Sequence, residues 1–305
     1  MRILVLGAGG FLGQAVVRRL ASEGHQLTCV VRNLESAATH EGVRYIEAVL
    51  DDIRIVMDVA KAADRILHFA WDTTPGTSSG QPTLEVIHNL MPTLRLLEAM
   101  NCFPVRSQFI FVSSAGATYA PSTECATETS QVNPSSYYGA AKLSTEMFLR
   151  AYSAQSGNPV VVVRPSNVYG PGQKAKRQFG IVPTMMRAIQ ENETFQIWGD
   201  GGATRDYLFV DDFVEFFVAL LSRQWHGFHL FNVASGAACS INRLCQLLEK
   251  ISGKRLSVEY VPARGVDSGG RAVDSTKARD ELGWRPRIEL EAGLTETWCR
   301  FKSRS

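Results

Sequence analysis

Tyr138 and Lys142, the ends of the segment YGAAK, stand four residues apart, a spacing that puts a phenol and an ammonium on one face of a helix. A phenol with a pKa near 10 is a poor base at neutral pH, but a neighbouring positive charge favours its ionised form. The pair therefore reads as a proton carrier with a resident cation, suited to taking a proton from a hydroxyl. Tyr137 has Ala141 at the same spacing and lacks such a partner.

A second set consists of Gly7, Gly10 and Gly13 in GAGGFLG, with Phe11 and Leu12 between them. These residues directly follow the apolar run Ile3 to Leu6 and open a helical pattern from Phe11 to Ser22. Small residues at a strand-to-helix turn let the backbone approach a pyrophosphate, whose charge meets free N–H groups at the positive helix end. The ligand implied is a dinucleotide. An acid about 20 residues beyond the glycines would grip the adenine ribose and select NAD. Arg32 and Asn33 stand there instead. A guanidinium can pair with a 2′-phosphate, so NAD is the expected cofactor and NADP an open alternative.

Positioning these groups requires a sheet. The runs Ile3–Leu6, Leu27–Val31, Val43–Ile46, Arg65–Phe69, Gln108–Val112 and Val160–Val163 are nearly continuous in apolar residues and alternate with helical stretches. Such runs are strands covered on both faces, which predicts a doubly wound parallel α/β sheet of the Rossmann kind. Beyond Pro165 the helical stretches 181–190, 211–221, 241–251 and 290–301 mix with short strands at 195–198 and 257–260, a smaller interleaved lobe. His68, at a strand end, reads as a satisfied core residue.

Composition narrows the function. A chain of 305 residues, 45% hydrophobic and with a formal charge of +2, has no basic run, so no nucleic-acid role is expected. Its six cysteines lack CxxC spacing, which predicts neither a metal site nor disulfides. No apolar run approaches the roughly 20 residues that span a bilayer. The N-terminus has no signal-peptide pattern, so a cytoplasmic protein with no membrane partner is expected.

In this order the motifs resemble the NAD-dependent epimerase/dehydratase family of extended short-chain dehydrogenases. Besides the glycine turn and YGAAK, the resemblance covers HFA at His68 to Ala70, Asn89, RPSNVYGPG at 164–172, GDGGATRDYLFVDD at 199–212, FNVASG at 231–236, RGVD at 264–267 and LGWRP at 282–286. It implies a dinucleotide-binding domain over 1–165. Residues 166–305 would be mainly a nucleotide-sugar-binding lobe, with some segments returning to the first domain. Around the cofactor it places Phe69, Ala70, Asn89, Ser113, Tyr138, Lys142 and Pro165, with Asp51 or Asp52 standing in for a displaced acid near adenine. Around a nucleotide-sugar it places Trp71, Asn167, Gln196, Trp198, Arg205, Arg264 and Asp267.

Two departures shape the expected chemistry. Ala115 occupies the place of a Ser or Thr that polarises the reacting sugar oxygen, so Ser113, Ser114 or Thr118 must supply the hydroxyl, or a water must. Gly116 and Ala117 occupy the places of the acids that dehydrating relatives use, which argues against 4,6-dehydration. The activity implied is C4 epimerisation of a UDP-hexose through a 4-keto sugar, with tightly held NAD. The alternatives are an NAD(P)H-dependent reductase of a nucleotide-linked 4-keto sugar and a non-catalytic nucleotide-binding regulatory protein. The resemblance also implies a homodimer formed through the helices at 84–100 and 138–156.

Overall fold

Gln108–Val112 and Val160–Pro165 are buried at every residue, as strands covered on both faces must be. The computed structural model describes residues 1–35, 37, 39–102, 107–120, 124–175, 180–263, 270 and 272–302. The chain forms two compact units, Met1–Ser114 with Tyr137–Arg164 and Phe217–Phe231, and Ala115–Ser136 with Pro165–Phe216 and Asn232–Ser305.

The first unit is built on a seven-stranded parallel sheet. Its strands are β1 (Arg2–Leu6), β2 (Gln26–Val31), β3 (Arg44–Glu47), β4 (Arg65–His68), β5 (Gln108–Val112), β6 (Val160–Pro165) and β10 (Phe228–Val233). Their spatial order is β3-β2-β1-β4-β5-β6-β10, so the chain reverses its direction of travel across the sheet between β1 and β4. Leu6 is in register with both Val30 and His68, which levels the carboxyl ends of three strands at this switch point. A crevice there is where such sheets bind ligands.

Helices α1 (Phe11–Ser22), α2 (Ile53–Ala60), α4 (Met91–Asn101) and α6 (Tyr137–Ser156) belong to this unit. Val56, Leu96, Leu97, Leu149 and Tyr152 pack with Leu4, Leu6, Ile66, Phe109, Phe111, Val160 and Val162 in one core. Burying each such side chain stabilises the fold by about 1.5–3 kcal/mol, and this core fixes the strand ends. The continuous helix expected over 84–100 is interrupted: α3 (Pro82–Glu85) passes into a π-helical turn, Val86–Leu90, before α4. Pro92 explains the break, because it has no N–H to give the carbonyl four residues back and its ring crowds that carbonyl.

The second unit opens with the single turn α5 (Ala115–Thr118) and continues with β7 (Asn167–Tyr169), α7 (Ile181–Glu191), β8 (Phe195–Trp198), β9 (Thr204–Phe209) and α8 (Val210–Leu221), whose last residues belong to the first unit. It ends with β11 (Ala238–Ser240), α9 (Ile241–Ser252), β12 (Val258–Val261), α10 (Thr276–Leu282) and α11 (Leu290–Lys302). β9 lies between β7 and β11, and β8 pairs with β12 in parallel. Tyr169, Met185, Phe209, Leu244, Leu248 and Trp298 form its core. Ser240 caps α9 by accepting from Arg243 N at 3.1 Å, and Gly253 ends it in the left-handed region. Among the described residues, no helix is long and apolar enough to cross a membrane.

Candidate active site

Gly7 ends β1 with φ of 82°. A Cβ there would stand 2.5 Å from Ala70 N, because the chain leaving β4 runs directly against the turn. A Cβ on Gly13 would stand 2.4 Å from Gly7 O, so α1 can start where it does only with a hydrogen at that position. Gly10 is the N-cap of α1; no side chain caps the helix and no acid lies in its first turn. Phe11, Leu12 and Gly13 thus open the helix with their amides at its positive end. Bare backbone, a helix N-terminus and the sheet's switch point coincide, and this cradle fits the pyrophosphate of a dinucleotide.

Two consecutive residues join this turn to Tyr138. Ala70 closes on Gly7, and the next residue, Trp71, sets its indole edge-on to the Tyr138 ring at 6.1 Å. Lys142 Nζ lies 3.7 Å from the centre of the Trp71 ring and donates to Val112 O at 2.8 Å. Both residues of the pair sit in the first turns of α6, where Tyr137 is exposed instead. Burial pushes the Tyr138 phenol above its ordinary range, and the charge of Glu85 adds to the effect. Burial also holds Lys142 well below the usual lysine range, against the opposing pull of Glu85 and Glu146. The sequence predicts a phenol lowered by its lysine. In the structure desolvation dominates, with the lysine engaged by Val112 and Trp71.

The segment after β4 is pinned from several sides. Asp72 N donates to Asn89 Oδ1 at 2.7 Å, and Asn89 Nδ2 donates to Thr73 Oγ1 and Glu85 Oε2, both at 2.9 Å. Thr73 Oγ1 donates to Glu85 Oε1 at 2.7 Å. Asn89, expected beside the cofactor, therefore turns its amide to the β4 exit, and it does so from the π-helical turn. Phe69 N donates to Leu6 O at 2.8 Å, tying β4 to β1. Arg32 is ion-paired with Asp72, and Asp51 with Arg95 at 2.6 Å; Asn33 is exposed. His68 is fully buried, its Nε2 lies 3.0 Å from Thr93 Oγ1, and burial pulls its pKa to about 3, so it is a neutral core residue.

The three candidate hydroxyls differ in setting. Ser113 Oγ donates to Glu146, which also accepts from Arg164 Nε at 3.0 and 3.1 Å, and all three residues are buried. That geometry commits the Ser113 proton to a buried ion pair. Ser114 follows it, half-buried. Thr118 closes α5 in the second unit, fully buried, its carbonyl accepting from Asn133 N at 2.9 Å. Ala115 packs with Tyr119, Ala126, Ala234 and Val273, an apolar setting that suits a methyl group.

Pro165 closes β6 and is buried. In the second unit, Asn167 is exposed on β7 and its Nδ2 donates to Asp206 O at 3.0 Å. A Cβ on Gly116 would lie 4.0 Å from that nitrogen, so the α5 turn and Asn167 are neighbours. Arg205 on β9 donates to Thr204 O at 2.8 Å. On β8, Gln196 donates to Glu259 Oε2 at 3.0 Å, and Trp198 is half-buried. Arg264 and Asp267 lie outside the described residues. Asp206 accepts from Ser235 N and Gly236 N at 2.9 Å and from Val273 N at 3.2 Å, while Asp212 accepts from Arg287 N at 3.0 Å and Ile288 N at 2.9 Å. Asp206 and Asp212 of the 199–212 motif thus hold the chain path of this unit.

A family model described as the NAD dependent epimerase/dehydratase family matches residues 3–234. The chain belongs to that family. The UDP-glucose 4-epimerase of Mycolicibacterium smegmatis is 32% identical to it, with 100% of both chains covered. The structure of Thermotoga maritima UDP-glucose 4-epimerase with UDP-glucose matches with a TM-score of 0.92 and 31% identity, covering 100% of this chain and 99% of that one. The Thermus thermophilus UDP-glucose 4-epimerase in complex with NAD matches at 0.91 and 27%, with 100% of both covered.

Three acids of this epimerase/dehydratase chain escape the sequence reading: Asp72, Glu85 and Glu146. Each had a signal. Glu146 lies four residues after Lys142 and Glu85 four before Asn89, the spacing of one helix face. Asp72 adjoins the HFAW segment that runs past the glycine turn. The pairing of Asp72 with Arg32 depends on strand order, which the local pattern does not carry.

Proposed function

We propose that the protein is a nucleotide-sugar epimerase that inverts C4 of a UDP-linked hexose, using tightly held NAD. The observation that carries this reading is the junction at Ala70 and Trp71, where the bare glycine cradle and the Tyr138–Lys142 pair meet through adjacent residues. The relatives support the substrate class, since UDP-glucose accompanies one and NAD another. NAD, when bound, supplies a site that accepts a hydride from the sugar and gives it back.

The remaining work falls to side chains. Tyr138 Oη takes the proton of the C4 hydroxyl as the carbonyl forms and returns it when hydride comes back to the opposite face. Lys142 Nζ, beside that phenol, favours its ionised form once the sugar hydroxyl is engaged. Ser114 or Thr118 polarises the sugar oxygen, since Ser113 already donates to Glu146. Asn167, Arg205, Arg264 and Asp267 hold the diphosphate, where arginine can donate two hydrogen bonds at once, and Gln196 and Trp198 line the base. Gly116 and Ala117 offer no acid for a dehydration.

Arg32 alone favours a 4-keto-sugar reductase using NADP, and its guanidinium is engaged by Asp72. The same reading makes the enzyme a cytoplasmic homodimer. Exposed Val86, Ile87, Met91, Met147 and Phe148, on the mutually packed π-helical turn, α4 and α6, support a self-associating face. The test is to incubate the purified protein with UDP-glucose or UDP-galactose and no added cofactor. Conversion to the C4 epimer with no net reduction of nicotinamide is expected; stoichiometric oxidation of the sugar, or binding with no conversion, contradicts the proposal.

A further inference from the structure

Lys142 is buried, yet among the described residues only one hydrogen-bond acceptor, Val112 O at 2.8 Å, meets its ammonium. Three rings also lie close to it. Nζ lies 3.7 Å from the centre of Trp71, 4.8 Å from Phe111 and 5.7 Å from Tyr138. Trp71 in turn rests on Phe111 at 5.8 Å and meets Tyr138 edge-on. The indole Nε1 has no hydrogen-bond partner among the described residues, so its ring face, not its N–H, meets the lysine. A cation held over an aromatic face is attracted to the ring's quadrupole, and most strongly where water is excluded.

We propose that Trp71 is a positioning residue for Lys142: with Phe111 and Tyr138 it forms an aromatic box that keeps the ammonium charged and fixed beside the proton-carrying phenol. Burial by itself drives Lys142 towards the neutral amine. The groups acting on it are Glu85 on α3 and Glu146 on α6, which favour the charge, with buried neutral His68 on β4 and the Tyr138 phenol nearby. Glu146 is shared with Arg164 and Ser113, and Glu85 with Thr73 and Asn89, so neither carboxylate is bonded to Lys142 itself. The Trp71 face, at 3.7 Å, lies nearer to the ammonium than the Phe111 and Tyr138 rings do.

The inference rests on the epimerase reading, and the experiment separates the two. Trp71→Phe keeps an aromatic face, though a smaller one, and discards the unpartnered indole N–H; Trp71→Leu removes the face. Losing the face removes stabilisation of the charged lysine alone, so Lys142 would give up its proton at lower pH. Trp71→Phe should follow the parent's pH profile. In Trp71→Leu the basic limb of kcat/KM should move down by about one pH unit, the shift that a tenfold change in proton affinity gives. An unmoved limb in Trp71→Leu, even with a slower rate, overturns the proposal, as does an equal displacement in Trp71→Phe. A second readout is independent of turnover: Lys142→Met should change tryptophan emission in the parent background and leave it unchanged in Trp71→Leu. Equal changes in both backgrounds overturn the role of Trp71. A parent protein that converts no sugar contradicts the epimerase reading, and the emission comparison still decides the inference.

Discussion

Glu146 and Asp206 are both almost fully buried carboxylates, one in each unit, and their partners differ in kind. Glu146 accepts from the side chains of Ser113 and Arg164, one turn along α6 from Lys142. Asp206 accepts mainly from backbone amides of Ser235, Gly236 and Val273. An acid bonded to side chains sets the charge around a reactive group. An acid bonded to amides sets the course of the chain. Asp206 stands inside a segment that resembles a family motif and Glu146 four residues beyond one, so motif membership does not separate the two roles, whereas the partner type does.

The comparison breaks first at Tyr138. Tyr138→Phe should lower kcat by roughly 100- to 10,000-fold, the usual worth of a positioned acid–base group, with cofactor content and folding unchanged; near-parental turnover would remove the phenol from the mechanism. Asp206→Ala should do the converse. It leaves three backbone amides without this acceptor, of which the buried Val273 N costs about 1–3 kcal/mol when unpaired, so the urea midpoint should fall while molecules that remain folded keep their turnover. A stable but inactive Asp206→Ala protein would place this acid with the chemistry. The smallest effect is expected at the exposed Arg32–Asp72 pair. Freeing the guanidinium in Asp72→Asn should tighten NADP binding by up to about fivefold, the limit for an exposed ion pair of about 1 kcal/mol, and leave NAD binding alone. A loss of NAD binding instead would show that Asp72 holds the cofactor directly.

The strands and long helices were legible because their apolar runs report burial directly: β5 falls at Gln108–Val112 and α1 at Phe11–Ser22, as the pattern predicts. The glycine turn was legible for a steric reason, since Gly7 and Gly13 sit where a Cβ would strike backbone. The π-helical turn before α4 was hidden because it changes ladder spacing and leaves the apolar pattern intact, although Pro92 marks the place. The division among the hydroxyls was hidden for another reason. Ser113 and Ser114 are adjacent and alike in sequence, and only the fold brings Glu146 and Arg164 to the first of them. Likewise the aromatic surroundings of Lys142 come from the segment after β4, from β5 and from α6, which are distant in the chain.

The central claim is that hydride leaves C4 of the sugar and returns to the same carbon while Tyr138 carries the proton. Running the conversion on a UDP-hexose deuterated at C4, with no cofactor added, tests it most directly. The account predicts that the C4 epimer keeps its deuterium at C4 and that Tyr138→Phe forms almost none of it. Epimer formed with the C4 deuterium exchanged for solvent hydrogen would contradict it.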